Sequence, residues 1–149
     1  VGVASNESTA GDAVLVRYNL NGTLDTTFGP DHTGIVTWDS SGNRNEAFAV
    51  AIDAEGRIVV AGKTNPEQGG YDLLVLRYLP WGELDPTFGA VIDESGNRDG
   101  HAVTPPDFCL HNPRAYAVAI QPDGKIVGGG QTMNEIRKEA AGLEKPLFR

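Results

Sequence analysis

The residues best spaced for chemistry lie in a polar loop. In Asp39-Ser40-Ser41-Gly42-Asn43-Arg44-Asn45 the oxygen-bearing side chains of Asp39, Ser41, Asn43 and Asn45 fall at alternate positions, the ligand spacing of calcium loops. A related run, Asp93 to Asp99 (DESGNRD), follows later in the chain. A calcium loop of the EF-hand type also needs a bidentate carboxylate further along, and Glu46 stands too near in sequence to serve. The same residues make good β-turns, because Asp, Ser and Asn side chains bond nearby backbone while Gly takes positive φ. Turn chemistry is the stronger reading, and no metal is assigned.

Other candidates are thinner. Asp25 and Asp85 each sit in a Leu-Asp-x-Thr-Phe-Gly run, and a lone Asp there would read as a catalytic carboxylate. Repetition points the other way: a residue present in every copy does what every copy needs, here accepting bonds from backbone or from Thr27 and Thr87, with Phe28 and Phe88 packing between sheets. Arg17 and Arg77, beside Tyr18 and Tyr78, follow the same logic, each Arg stem covering apolar surface. Cys109 and His111 could begin a metal site with His101, but zinc takes four ligands, or three and a water. The chain carries no Cys-x-x-Cys-His, P-loop, Gly-x-Ser-x-Gly or His-Glu-x-x-His run. No catalytic residue and no cofactor is assigned. Asn6-Glu7-Ser8 and Asn21-Gly22-Thr23 fit the glycosylation acceptor pattern, although Asn21-Gly22 reads better as a turn.

These residues belong to a repeat. Asp12 to Gly29 (DAVLVRYNLNGTLDTTFG) recurs without a gap from Asp72 to Gly89 (DLLVLRYLPWGELDPTFG) at an offset of 60, with nine of 18 positions identical. Ala47 to Thr64 recurs from Ala115 to Thr132 at an offset of 68 with ten identities, and Asp39 to Asn45 recurs at Asp93 to Asp99 at an offset of 54. These offsets imply that the second copy lacks about six residues after Gly89 and gains about 14 between Asp99 and Ala115. A third copy begins at the end, where Leu147, Phe148 and Arg149 resemble Val75, Leu76 and Arg77.

Each copy holds four strand-like runs. Ala47 to Ile52 and Arg57 to Ala61 form a predicted hairpin around Asp53 to Gly56; Ala115 to Ile120 and Lys125 to Gly129 repeat it around Pro122-Asp123-Gly124. The third run is Val14 to Tyr18 and its copy Leu74 to Tyr78; the fourth is Ile35 to Trp38, matched with a shorter Ala90 to Ile92. Four antiparallel strands per copy make a propeller blade. The expected fold is therefore all-β, a propeller-like tandem array of four-stranded antiparallel blades with repeat boundaries near 1–46, 47–114 and 115–149. Thr132 to Ala141 breaks the β pattern and predicts a short helix, with Thr132 and Glu135 at capping-box spacing.

With the signatures R-Y-x-x-x-G-x-L-D-x-T-F-G and A-x-A-V-A-I-x-x-x-G-[RK]-I-V in view, the chain resembles the delta-sixty repeat family, predicted bacterial β-propellers of unknown function. The first signature fixes the residue at eight of 13 positions in both copies. Departures are the short fourth strand of the second copy and its Pro105-Pro106, Cys109 and His111 insertion. The resemblance implies a non-catalytic binding or scaffold module, exported or at the cell surface. The alternative is a structural subunit of an extracellular assembly in which repeats pack between chains.

Charge and length set the rest. The formal charge is −8, from 12 Lys and Arg against 20 Asp and Glu, and such a surface repels phosphate backbones, so nucleic acid is not the expected partner. No run approaches the roughly 18 apolar residues that span a bilayer. The single Cys109 forms no internal disulfide. The chain starts at Val1 with no visible signal peptide, so either an export signal has been removed or the chain is a fragment. Propellers use about four to eight blades, more than 149 residues can supply at this repeat length. The array is expected to be incomplete, with partners reached through open blade faces or self-association.

Overall fold

The computed structural model describes residues 1–4, 11–40, 44–65, 70–104 and 111–133. The described residues form nine strands and no helix. The first sheet joins β1 (Gly2–Ala4), β2 (Asp12–Val16) and β3 (Ile35–Trp38) in that order, antiparallel throughout. The second is a complete four-stranded meander of β4 (Arg44–Ile52), β5 (Ile58–Asn65), β6 (Asp72–Tyr78) and β7 (His101–Val103). The third is the hairpin β8 (His111–Ile120) and β9 (Ile126–Met133). Each sheet is a whole or partial blade, and the array is open rather than closed.

Both expected hairpins are present, and their turns show why. Asp53 N–H donates to Arg57 O at 3.0 Å and Gly56 N–H to Asp53 O at 3.0 Å; in the copy, Gln121 N–H donates to Lys125 O and Gly124 N–H to Gln121 O, both at 2.8 Å. Each hairpin then admits an extra residue at the same repeat position, Phe48 and Tyr116, as a bulge in its first strand, and β8 has a further register shift between His111 and Arg114. The bulge presses the strands together, so a Cβ on Gly62 would lie 1.8 Å from Glu46 O and one on Gly130 1.7 Å from Arg114 O. The two bulged rings meet across the sheets, centroids 5.3 Å apart.

The core lies between the first two sheets. Ala13, Leu15, Phe28, Val36 and Trp38 face Ala47, Ile58, Val60, Leu74, Leu76 and Tyr78. The alternation in the strands produces this: residues 13, 15, 36 and 38 share one side of the first sheet because Ala13 pairs with Trp38 and Leu15 with Val36. The β8–β9 hairpin differs from its counterpart. Val127 and Gly128 are exposed, so the apolar face expected to be buried between blades is only partly covered among the described residues.

The fourth strand of the second copy is not Ala90 to Ile92. It is β7, eleven residues further on, and Val91 and Ile92 are exposed. The register is set by backbone bonds rather than by the apolar run. Arg17 N–H donates to Gly34 O and Arg77 N–H to Gly100 O, both at 2.9 Å, while Gly34 and Gly100 N–H donate to Phe28 O and Phe88 O at 3.0 and 2.8 Å. Gly100 is thus the counterpart of Gly34, and the second copy has residues added before its fourth strand, not removed. The addition folds as a small hairpin closed by the Val91–Arg98 bridge. The DESGNRD run lies in this hairpin, inside a blade, whereas DSSGNRN joins one blade to the next. The two runs are alike in sequence without being equivalent in the fold. Thr132 and Met133 end β9 instead of opening a helix; the rest of the expected helix, and Leu147-Phe148-Arg149, lie outside the described residues.

Candidate functional site

The repeated signature builds a clasp. After β2 the chain turns through Asn19 to Thr23, Tyr18 bridges Leu24, and Asp25 N–H donates back to Arg17 O at 3.0 Å. This brings the Asp25 carboxylate onto the Arg17 guanidinium, Nε to Oδ2 at 2.8 Å. Its Oδ1 accepts from Thr27 N–H at 3.0 Å and Thr27 Oγ1 at 2.6 Å, and the guanidinium lies 4.3 Å over the Phe28 ring. The second copy reproduces every part: Arg77 Nε to Asp85 Oδ2 at 2.7 Å, Thr87 N–H and Oγ1 to Asp85 Oδ1 at 2.8 and 2.7 Å, and Arg77 4.6 Å over Phe88.

The electrostatics suit a clasp rather than an acid or base. At Asp25 the hydrogen bonds from Thr27, with the Arg17 charge, hold the carboxyl below the usual range. At Asp85 burial pushes the carboxyl up, but the Thr87 bonds and the Arg77 charge outweigh it, and the net direction is down. Both oxygens of each carboxylate are used within the loop.

The first clasp also grips the next repeat. Arg17 Nη1 donates to Pro80 O at 2.6 Å, and Gly29 N–H donates to Trp81 O at 2.8 Å. The turn seats so closely that a Cβ on Gly82 would lie 2.9 Å from the Phe28 ring. Beyond the second blade, a groove of about 400 Å³ opens between β6–β7 and the β8–β9 hairpin, lined by Leu73, Val75, Arg77, Phe88, Ile126 and Gly128 among others. Most of these are repeat counterparts of the core: Leu73 of Ala13, Val75 of Leu15, Phe88 of Phe28, Ile126 of Ile58 and Gly128 of Val60.

A family model for a domain of unknown function, DUF5122 beta-propeller, matches residues 1–28 and 54–88. The chain is similar to a β-propeller domain over those parts. Both matched stretches end on the phenylalanine of a clasp, Phe28 and Phe88, so the propeller resemblance and the clasp geometry rest on the same residues. No curated protein and no solved structure matches the chain.

The remaining sequence candidates fall in different places. Asn45 is fully buried, its Oδ1 accepting from Ser40 Oγ at 2.9 Å and Thr64 Oγ1 at 2.7 Å; Ser41, Gly42 and Asn43 lie outside the described residues. Asp93 accepts from Asn97 N–H at 3.0 Å and Asn97 Nδ2 at 2.8 Å, closing its own turn. His101 opens β7 with its ring 5.1 Å from Trp38, His111 starts β8, and Cys109 lies outside the described residues, as does Asn6-Glu7-Ser8. Asn21 Oδ1 accepts from Thr23 N–H at 3.1 Å and Thr23 Oγ1 at 2.7 Å, the expected turn.

Sequence reasoning missed one cluster. Lys63 is 4% exposed, with Nζ 3.1 Å from Glu46 Oε1 and 3.7 Å over the Tyr71 ring. Burial pushes the Glu46 carboxyl up, but Lys63 and Arg44 outweigh it and hold it below its usual range. The counterpart positions hold Arg114 and Gln131, so repetition gave no signal. A period-two strand with a lysine on its inward side was the only available clue.

Proposed function

We propose that this chain is a non-catalytic β-propeller-repeat module that binds or scaffolds other proteins, exported or at the cell surface. The observation that carries the reading is the duplication of the clasp: Asp25 and Asp85, the carboxylates most like catalytic ones, are spent in identical loop-closing bonds. Catalysis is usually done once per domain, and a carboxylate used the same way in each repeat is scaffold chemistry. The offset of 60 residues between the two clasps favours the delta-sixty kind of repeat. What is left for recognition is surface, chiefly the apolar groove beyond the second blade, a setting for protein contacts. The acidic charge argues against nucleic acid.

The test has two parts. Purified chain is expected to hydrolyse chromogenic ester, phosphate and glycoside substrates no faster than buffer, and the protein is expected in the surface or secreted fraction of its cells. Turnover abolished by Asp25→Asn or Asp85→Asn in a still-folded chain would overturn the non-catalytic reading; a purely internal location would overturn the export reading. A second reading, a structural subunit of an extracellular assembly, is favoured by the exposed Val127 and Gly128 of the β8–β9 hairpin, which lie where the preceding hairpin is buried.

A further inference from the structure

Two arginines on neighbouring hairpins flank the buried Lys63–Glu46 pair, and we infer that an acidic segment of a partner protein binds Arg44 and Arg114 there, where the second and third sheets meet. The inference rests on the binding reading and names the chemistry of the partner.

Strand pairing builds the corner. Glu46 stands opposite Lys63, and two cations reach the same oxygen, Glu46 Oε1: Lys63 Nζ at 3.1 Å and Arg44 Nε at 2.7 Å. Lys63 is buried, its ammonium 3.7 Å over the Tyr71 ring and 5.9 Å over the Phe48 ring, so it is held by the fold rather than offered to a ligand. The Arg44 side chain is 51% exposed.

The third cation comes from β8. Arg114 stands opposite Gln131, at the positions that Glu46 and Lys63 hold in the preceding hairpin. The repeat pair is therefore neutral in one hairpin and positive in the next. Phe48 and Tyr116, 5.3 Å apart, bring the two hairpins into contact at this level, and Tyr116 Oη accepts from Arg114 Nη1 at 3.4 Å. The bond to Tyr116 comes first, and the Glu46 charge also reaches Arg114 from β4; both hold the guanidinium above its ordinary value.

The charge balance sets this corner apart. Elsewhere in this acidic chain Arg17 has Asp25, Arg57 has Asp53 and Glu55, Arg77 has Asp85 and Lys125 has Asp123. Here two arginines and a lysine share one glutamate, in a molecule of formal charge −8. Arg44 spends Nε on Glu46 and Arg114 spends Nη1 on Tyr116. Among the described residues, each guanidinium keeps further N–H groups for the paired bonds that a planar carboxylate accepts. Arginine and tyrosine are also the residues that carry most of the energy at protein contacts. The clasps recur because every copy needs them; this corner does not recur, because Arg114 replaces a glutamate, so the repeat itself does not require it.

The experiment uses the full 149-residue chain and two end-blocked, dye-labelled peptides, one alternating Glu and Gly, the other Lys and Gly. Fluorescence anisotropy is expected to show binding of the Glu peptide alone, weakening as salt rises. Arg44→Gln and Arg114→Gln are each expected to weaken it about tenfold. Lys125→Gln removes the same charge at the far turn of the β8–β9 hairpin and is expected to change nothing. Glu46→Gln keeps an oxygen for Lys63 and removes the competing charge, so it is expected to tighten the Glu peptide, an effect that a merely structural cluster would not give. Melting curves establish that each variant is folded. Equal binding of the two peptides, or none at about millimolar concentration, overturns the inference. So does a loss with Lys125→Gln as large as with Arg114→Gln, or a folded Glu46→Gln chain that binds no tighter. A uronate oligosaccharide that displaces the labelled peptide better than unlabelled Glu peptide overturns it too, making the ligand a sugar. None of these results touches the turnover or location tests of the binding reading.

Discussion

Tyr18 and Tyr78 occupy the same repeat position, sixty residues apart, yet Tyr18 is 63% exposed and Tyr78 2%. Each ends its strand-like run and bridges the leucine six residues on, Leu24 or Leu84. The difference is that a blade precedes Tyr78 and none of the described residues covers Tyr18. Tyr78→Ala should therefore destabilise the chain by about 3–5 kcal/mol, the usual loss for a buried large ring. Tyr18→Ala should leave the dilute chain near wild type. Urea unfolding of both variants at low concentration reads the contrast.

The seam gives a second matched pair. Gly22 and Gly82 both hold positive φ, 83° and 99°, so alanine strains either turn by about 1–3 kcal/mol. At Gly82 the new methyl also meets Phe28 and the Gly29 nitrogen at 2.9 Å. Gly82→Ala should lose on the order of 2 kcal/mol more than Gly22→Ala, measured as the difference in urea stability at equal m-value.

The two clasps differ in burial. The Asp85 side chain is 1% exposed against 19% for Asp25. Asp85→Ala strands Arg77 and should cost about 3–5 kcal/mol, as expected when one partner of a buried ion pair is removed. Asp25→Ala should cost less, because solvent reaches Arg17. Thermal melts that rank the two in the opposite order would contradict the geometry.

Acid should loosen the clasps. The carboxyls of Asp85 and Asp53 are held down in the fold: at each, burial pushes up but is outweighed, by Thr87 and Arg77 at Asp85 and by Arg57 at Asp53. A depressed carboxyl contributes stability above its unfolded pKa, about 3.9 for Asp, and that contribution is lost as pH falls through the lower folded value. Asp72 works oppositely, since burial alone raises it, so its charge opposes folding at neutral pH. Urea midpoints should fall from pH 5 to pH 2. Asp72→Asn should raise the midpoint at pH 7, and the gain should vanish below about pH 4.

The sequence by itself determined the repeat, its strand content and its hairpins. Those depend on local features: alternating apolar residues from Ala47 to Ile52, turn residues at Asp53 to Gly56 and Pro122 to Gly124, and a signature that closes its own loop through Arg17, Asp25 and Thr27. Local bonds form wherever their residues occur, so two copies gave two clasps. Tertiary structure decided what sequence likeness could not. It placed the fourth strand of the second blade at His101–Val103, because Arg77 and Phe88 select Gly100 through backbone bonds, which no side-chain pattern records. It put DSSGNRN and DESGNRD in unlike places, and it buried Lys63 beside Glu46 and Tyr71. It also made identical residues unequal: Tyr18 and Tyr78 read alike in the sequence, and burial depends on the neighbouring blade that covers only one of them.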